Sequence, residues 1–174
     1  HNLQNFLAAS TCSHLMGISQ NQIVKSMKEF KGVEHRLEYV RTINEADYIN
    51  DSKATNIDSV IVAINTYKQP IVLILGGFNK GANFRLLLPH IKSSHVRDIV
   101  SYGDAGGQIN TALGDAVRSV QVTDLSSAVK KAQLMAAPGD IVLLSPGCAS
   151  YDEFSNFEER GNHFKSIIKN LAAS

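Results

Sequence analysis

Apolar residues return every third or fourth position in two early runs, Leu3, Phe6, Leu7 with Cys12 or Leu15, and then Ile23, Val24, Met27 and Phe30. That spacing predicts two helices, each with one apolar face. Ser19 stands ahead of the second run as a cap, Gly17 marks the break, and Gly32 after Lys31 closes the pair where a left-handed turn is easiest. A domain boundary is expected at residues 31–33. Beyond it, residues 36–43, 47–50, 71–75, 98–102, 119–122 and 141–144 read as short strands. Helical stripes lie between them: Ile57, Val60, Ile61, Ile64 and Tyr67 form one, and Leu125, Ala128, Val129, Ala132, Met135 and Ala136 another, opened by Asp124 and closed by Pro138-Gly139. Further helices are expected near 83–91, 105–113 and 158–172. Only Asn44, Glu45 and Ala46 separate the first two strands, which predicts a hairpin. The alternation that follows predicts an α/β, Rossmann-like domain over residues 33–174, a mostly parallel sheet flanked by helices, with residues 1–32 as a separate helical piece.

Composition narrows the function classes. The chain has 174 residues, 17 Lys+Arg against 16 Asp+Glu and a formal charge of +1, so no electrostatic excess is available to hold a nucleic-acid backbone or an anionic membrane. The longest aliphatic run, residues 71–75, falls far short of the roughly 20 residues a membrane helix needs. Cys12 and Cys148 lie far apart without C-x-x-C spacing, which argues for neither a disulfide framework nor a zinc site and points to a reducing cytoplasm. The chain opens on His1 with no signal pattern after it, and is expected to be a piece of a longer one cut at its amino end.

The polar, glycine-rich segments fall where strands end, and in an open parallel sheet that edge binds ligands. Residues 51–56, 76–81, 103–107 and 145–150 bring Lys53, Lys80, the hydroxyls of Ser52, Thr55, Ser145 and Ser150, and helix-start amides to one rim, a set suited to carboxylates or phosphates. Each residue has a plainer reading as well. Gly76-Gly77 is more often a simple turn, and the chain contains neither G-x-x-x-x-G-K-[ST] nor G-x-G-x-x-G. Lys53 and Lys80 taken singly are surface lysines, Arg36 is a surface ion-pair partner or a phosphate contact, and Asp51 is a turn residue or a ligand. Cys148 reads as a packed thiol, and His90 and His95 as surface histidines. Glu158-Glu159 and Lys169 match the two ends of a helix dipole.

Together the segments 33–38, Asp51-Ser52-Lys53-Ala54-Thr55-Asn56, Gly76-Gly77 through Lys80-Gly81, and Ser145 through Ser150 to Asn156-Phe157-Glu158-Glu159-Arg160-Gly161 resemble the carboxy-terminal domain of the Mur ligases. The Asp51–Asn56 string and the long final one are most similar to the family branch that adds D-glutamate. His1-Asn2, Asn5 and Ala8-Ala9 look like the end of the family's central ATPase domain. The resemblance implies ATP-dependent, ADP-forming addition of D-glutamate to UDP-N-acetylmuramoyl-L-alanine through an acyl phosphate, in a cytoplasmic, monomeric enzyme. It implies ATP and Mg as cofactors, with the phosphate loop and metal ligands in a part of the enzyme this chain does not contain. The fragment is then expected to be inactive alone and to hold no catalytic residue. Carried over by position, the pattern puts Arg36 at the ATP phosphates with His35 beside it, Asp51 at the ribose, and Lys53 at the phosphate or product end. It puts Thr55 and Lys80 at the D-glutamate carboxylates, with Ser150, Tyr151 and Phe157 lining that pocket. Gly147 and Tyr151 depart from the family's usual Ala and Phe or Leu. The alternatives are a sibling ligase with another amino acid and a non-catalytic anion-binding module.

Overall fold

The computed structural model describes residues 2–30 and 32–171, without the side chains of residues 2–4. The chain forms two compact units, His1–Val33 and Glu34–Ser174. In the first, α1 (Asn2–Leu15) and α2 (Gln20–Glu29) pair, with Phe6 edge-on to Phe30 at 5.5 Å. Ser19 caps α2 as the sequence predicts, in a reciprocal box with Gln22. One expectation fails here: α2 ends on extended Phe30 and not on a glycine turn, although Gly32 does take φ +94°. Leu7 and Leu15 of α1 are exposed. Leu3's side chain, His1 and Lys31 lie outside the described residues.

The second unit has six strands among its described residues: β1 (Glu38–Ile43), β2 (Ala46–Asn50), β3 (Ile71–Gly76), β4 (Val96–Tyr102), β5 (Arg118–Gln121) and β6 (Ile141–Gly147). They form one sheet in the order β1-β2-β6-β3-β4-β5, antiparallel only between β1 and β2. The hairpin turn is tighter than expected. Asn44 and Glu45 take φ +50° and +61°, the two left-handed central residues of a type I′ turn, and Ala46 already belongs to β2. β3 and β6 are central, which explains their unbroken apolar runs: a strand covered on both faces has no solvent side to leave polar. Ile71, Leu73 and Leu75 face one core cluster, and Val72 and Ile74 the other.

The first cluster lies under α3 (Ile57–Ile64), a 3-10 turn (Phe84–Leu87), α4 (Leu88–Ser93) and α5 (Gly106–Leu113); the second lies under α6 (Leu125–Met135) and α7 (Phe157–Asn170). The helix expected at 83–91 is thus broken in two, the 3-10 turn giving way to α4 with proline in its first turn. β1 starts at Glu38 and not at 36, because His35 and Leu37 take φ +63° and +44°. β6 runs on through Ser145 to Gly147, so that segment closes the strand and does not follow it.

Neighbouring strands β2 and β6 send their chains to opposite faces, β2 into α3 and β6 into α7. The switch point, the crevice outside the carboxyl ends of the strands where the connections part to opposite faces, therefore lies between the ends of β2 and β6, beside the end of β3.

Candidate functional site

The end of β2 is held by three buried polar residues. Asn50 accepts from the Ser52 amide at 3.1 Å and donates to Glu38 Oε2 at 2.9 Å, with its Nδ2 3.0 Å from His35 Nδ1. Asp51, 5% exposed, accepts from the Leu37 amide at 3.2 Å and from the Ser145 hydroxyl at 2.9 Å. Burial raises its carboxyl from 3.8 to about 6, against the opposing pull of the Ser145 hydroxyl, the Leu37 amide and Arg36. His35 is buried as well, accepts from the Lys53 amide through its carbonyl at 3.0 Å, and packs edge-on to Phe157 at 6.1 Å. These contacts tie the left-handed turn 35–37 to the sheet and leave Arg36 exposed at its apex. Gly161 makes the fit possible, since a Cβ there would lie 2.2 Å from His35 Nδ1.

Arg160, completely buried in α7, binds the two loops of the crevice together. Its Nε donates to the Ser52 hydroxyl at 2.9 Å and Nη2 to the Ser52 carbonyl at 2.8 Å. Nη1 donates to the carbonyls of Cys148 and Ala149 at 3.0 and 3.1 Å. Among the described residues it has no carboxylate partner, so four acceptor contacts carry a charge that burial alone would expel. Sequence reasoning quoted this residue only within the final motif and gave it no role. Its signal was an arginine on the core-facing side of a helix, one position before a glycine.

The hydroxyls divide. Ser52 and Ser145 were expected on the rim, but both are buried and spent on structure: Ser52 donates to the Phe157 carbonyl at 2.7 Å and Ser145 to Asp51. Thr55 is exposed just before Asn56 caps α3, and Ser150 is 2% exposed beside the exposed Tyr151. Gly76 and Gly77 are a packing device and not a cradle. A Cβ on either would meet a backbone oxygen, of Tyr102 at 2.2 Å or Ala149 at 2.3 Å. Cys148 is packed in the core, and burial raises its thiol to about 12, too high for a nucleophile.

Two exposed lysines face the crevice over aromatic rings, Lys53 Nζ 5.2 Å from the centre of Phe157 and Lys80 Nζ 5.0 Å from that of Tyr151. Neither pairs with a carboxylate among the described residues, whereas Lys165 bonds both Glu34 and Glu38. The loop under Lys80 is built on Asn79, whose side-chain oxygen accepts from Gly81 and Ala82 at 2.9 and 2.7 Å. Phe78 and Ala149 exchange backbone bonds at 2.9 and 3.1 Å and join that loop to the one carrying Ser150 and Tyr151. Arg36, Lys53 and Lys80 bring three cationic groups to this edge, beside the carboxylates of Asp51 and Asp152, and none of the three forms a salt bridge among the described residues, which leaves them for oxyanions. Among the described residues, no group of three or more His, Cys, Asp or Glu is placed to hold a metal ion, and no helix is long and apolar enough to cross a membrane.

Comparison with known proteins identifies the arrangement. The family model described as Mur ligase, glutamate ligase domain, matches residues 35–148. The UDP-N-acetylmuramoylalanine--D-glutamate ligase of Chloroherpeton thalassium is 43% identical over 171 residues, 98% of this chain and 36% of that protein. The ligase of the same name from Pelotomaculum thermopropionicum is 45% identical over 173 residues, 98% of this chain and 38% of that protein. Among solved structures, UDP-N-acetylmuramate-alanine ligase of Thermotoga maritima superposes with a TM-score of 0.71 at 17% identity, over 97% of this chain and 38% of that one, and shares the fold. The chain thus spans between a third and two fifths of the length of these relatives.

Proposed function

The chain belongs to the Mur ligase family, and from that premise we propose that it is the acceptor-binding part of an ATP-dependent ligase that adds D-glutamate to UDP-N-acetylmuramoyl-L-alanine. The terminal carboxylate of the nucleotide-linked substrate attacks the γ-phosphoryl group of ATP, giving an acyl phosphate and ADP. The D-glutamate amine then attacks the acyl carbon, loses its proton, and the tetrahedral intermediate expels phosphate to leave an amide.

Within that scheme the residues of this chain bind and orient. Arg36, fixed at its apex by His35 and Asp51, engages the ATP phosphates, where a planar guanidinium meets two oxygens while charge builds on the transferring group. Asp51 keeps free lone pairs on both oxygens, and the edge it exposes accepts a ribose hydroxyl. Lys80 and Thr55 hold the two D-glutamate carboxylates, with Ser150, Tyr151 and Phe157 shaping the pocket, and Lys53 takes the phosphate or product end. No proton-transfer group is needed from this set. Orientation of the amine is its contribution. Mg, held by residues of a preceding part of the protein, supplies charge neutralisation at the phosphates when bound. The helical pair at the start is the tail of the ATPase domain that carries that part, residues 33–174 form the amino-acid-binding domain, and the enzyme works as a cytoplasmic monomer.

The observation that supports this reading best is the pair of lysines without a salt-bridge partner among the described residues at the carboxyl edge of the sheet, Lys53 on the loop that Arg160 ties to Cys148 and Ala149, and Lys80 on the loop that Phe78 ties to Ala149. The test is phosphate release by the full-length protein with ATP, Mg and UDP-N-acetylmuramoyl-L-alanine. D-glutamate is expected to support turnover, and L-glutamate, L-alanine, L-lysine and diaminopimelate are not. Turnover with one of those instead would assign a sibling activity and overturn the acceptor reading.

A further inference from the structure

An ammonium can be localised by a carboxylate or by an aromatic face, and the two leave it in different electrical states. Lys165 shows the first: between Glu34 and Glu38 its charge is consumed. Lys80 shows the second, its Nζ 5.0 Å from the centre of the Tyr151 ring. An aromatic ring attracts a cation through its quadrupole and adds no net charge, so Lys80 is held in place with its whole charge left for an incoming anion.

Burial does not account for Tyr151. The residue is 62% exposed and belongs to neither core cluster, whereas Phe157, under Lys53, also packs on His35. The backbones beneath both partners are fixed. The bridge between Phe78 and Ala149 ties the two loops, and Asn79 bonds the amides of Gly81 and Ala82 immediately after Lys80. What stays free on that edge is the four-carbon stem of the lysine, and the ring gives its end one seat.

We propose that Tyr151 is a positioning residue for the acceptor, its ring seating the Lys80 ammonium so that a substrate carboxylate meets a localised, unneutralised charge. The inference rests on the reading of Lys80 as a carboxylate ligand and adds that the strength of acceptor binding is set in part from the Tyr151 ring. Tyr151 takes no part in the bond-making steps.

The test uses the full-length protein. Tyr151→Leu raises the KM for D-glutamate about two- to fivefold, the size of an exposed cation–π contact, and leaves the KM for ATP where it was. Tyr151→Phe, which keeps the ring and loses the hydroxyl, restores the D-glutamate KM. In a Lys80→Met background, Tyr151→Leu adds no further loss. An unchanged KM in Tyr151→Leu, a Tyr151→Phe protein as impaired as Tyr151→Leu, or full additivity with Lys80→Met overturns the proposal. Proton NMR of the Lys80 ε-methylene separates this from the functional reading. A ring-current upfield shift present in the wild type and Tyr151→Phe and lost in Tyr151→Leu supports the seat, and its absence overturns it, whichever acid the enzyme uses.

Discussion

The guanidinium of Arg160 grips Ser52 twice, through Nε to its hydroxyl at 2.9 Å and Nη2 to its carbonyl at 2.8 Å, while Nη1 reaches the chain at Cys148 and Ala149. One side chain thereby sets the spacing between the loop carrying Asp51, Lys53 and Thr55 and the loop carrying Ser150 and Tyr151.

Arg160→Lys keeps the charge and loses the fork. A lysine in the same space has three donors on one atom and cannot reach carbonyls on both loops, so it leaves buried acceptors unpaired. The variant is expected to lose about 3 kcal/mol of stability in urea denaturation, and Ser52→Ala, which removes one bond, about 1 kcal/mol. An Arg160→Lys protein within about 0.5 kcal/mol of wild type would show that the clamp is slack.

Asp51 gives stability a pH dependence of defined sign. Folding raises its pKa from 3.8 to about 6 through burial, so the native state binds the proton more tightly than the unfolded one. This group's contribution is fully present below about pH 4, is lost as pH rises to about 6, and is constant above that. Asp51→Asn, which still accepts from Leu37 and meets the Ser145 hydroxyl, is expected to be more stable than wild type at pH 7.5, by on the order of 3 kcal/mol, with the gap closing by pH 4. A gap that widens toward acid would reverse the assignment.

Gly161 sets two effects against each other. Alanine is the better helix former by about 1 kcal/mol, but its Cβ would sit 2.2 Å from His35 Nδ1. The clash wins, because the ring is buried between α7 and the end of β2, and overpacking costs about 1–3 kcal/mol. Gly161→Ala is expected to lower the melting temperature and to weaken ATP binding measured by calorimetry, as the turn bearing Arg36 shifts. A melting temperature raised by the substitution would mean that His35 has room to move.

The sequence makes the strands legible where burial is symmetric. β3 and β6 are continuous apolar runs because they are central, and Asp124 and Ser19 announce the helices they cap. It is silent where a contact joins distant positions through the fold. Nothing local distinguishes the buried Ser52 and Ser145 from the exposed Thr55. The left-handed His35 and Leu37 carry no glycine or asparagine to mark them, which is why β1 begins later than its β-rich pattern suggests. The rim itself was legible as a set of segments. Its seating of lysines on rings was not, since Lys80 and Tyr151 meet only through the bridge between Phe78 and Ala149.

The most direct test of the account is the pair of Michaelis constants of Lys80→Met in the full-length enzyme. If Lys80 holds a carboxylate of the incoming amino acid, removing its charge costs about 2 kcal/mol at that contact. The KM for D-glutamate then rises by roughly an order of magnitude or more, while the KM for ATP changes less than twofold. Equal loss for both substrates, or a loss confined to ATP, would contradict the assignment of this edge to the acceptor.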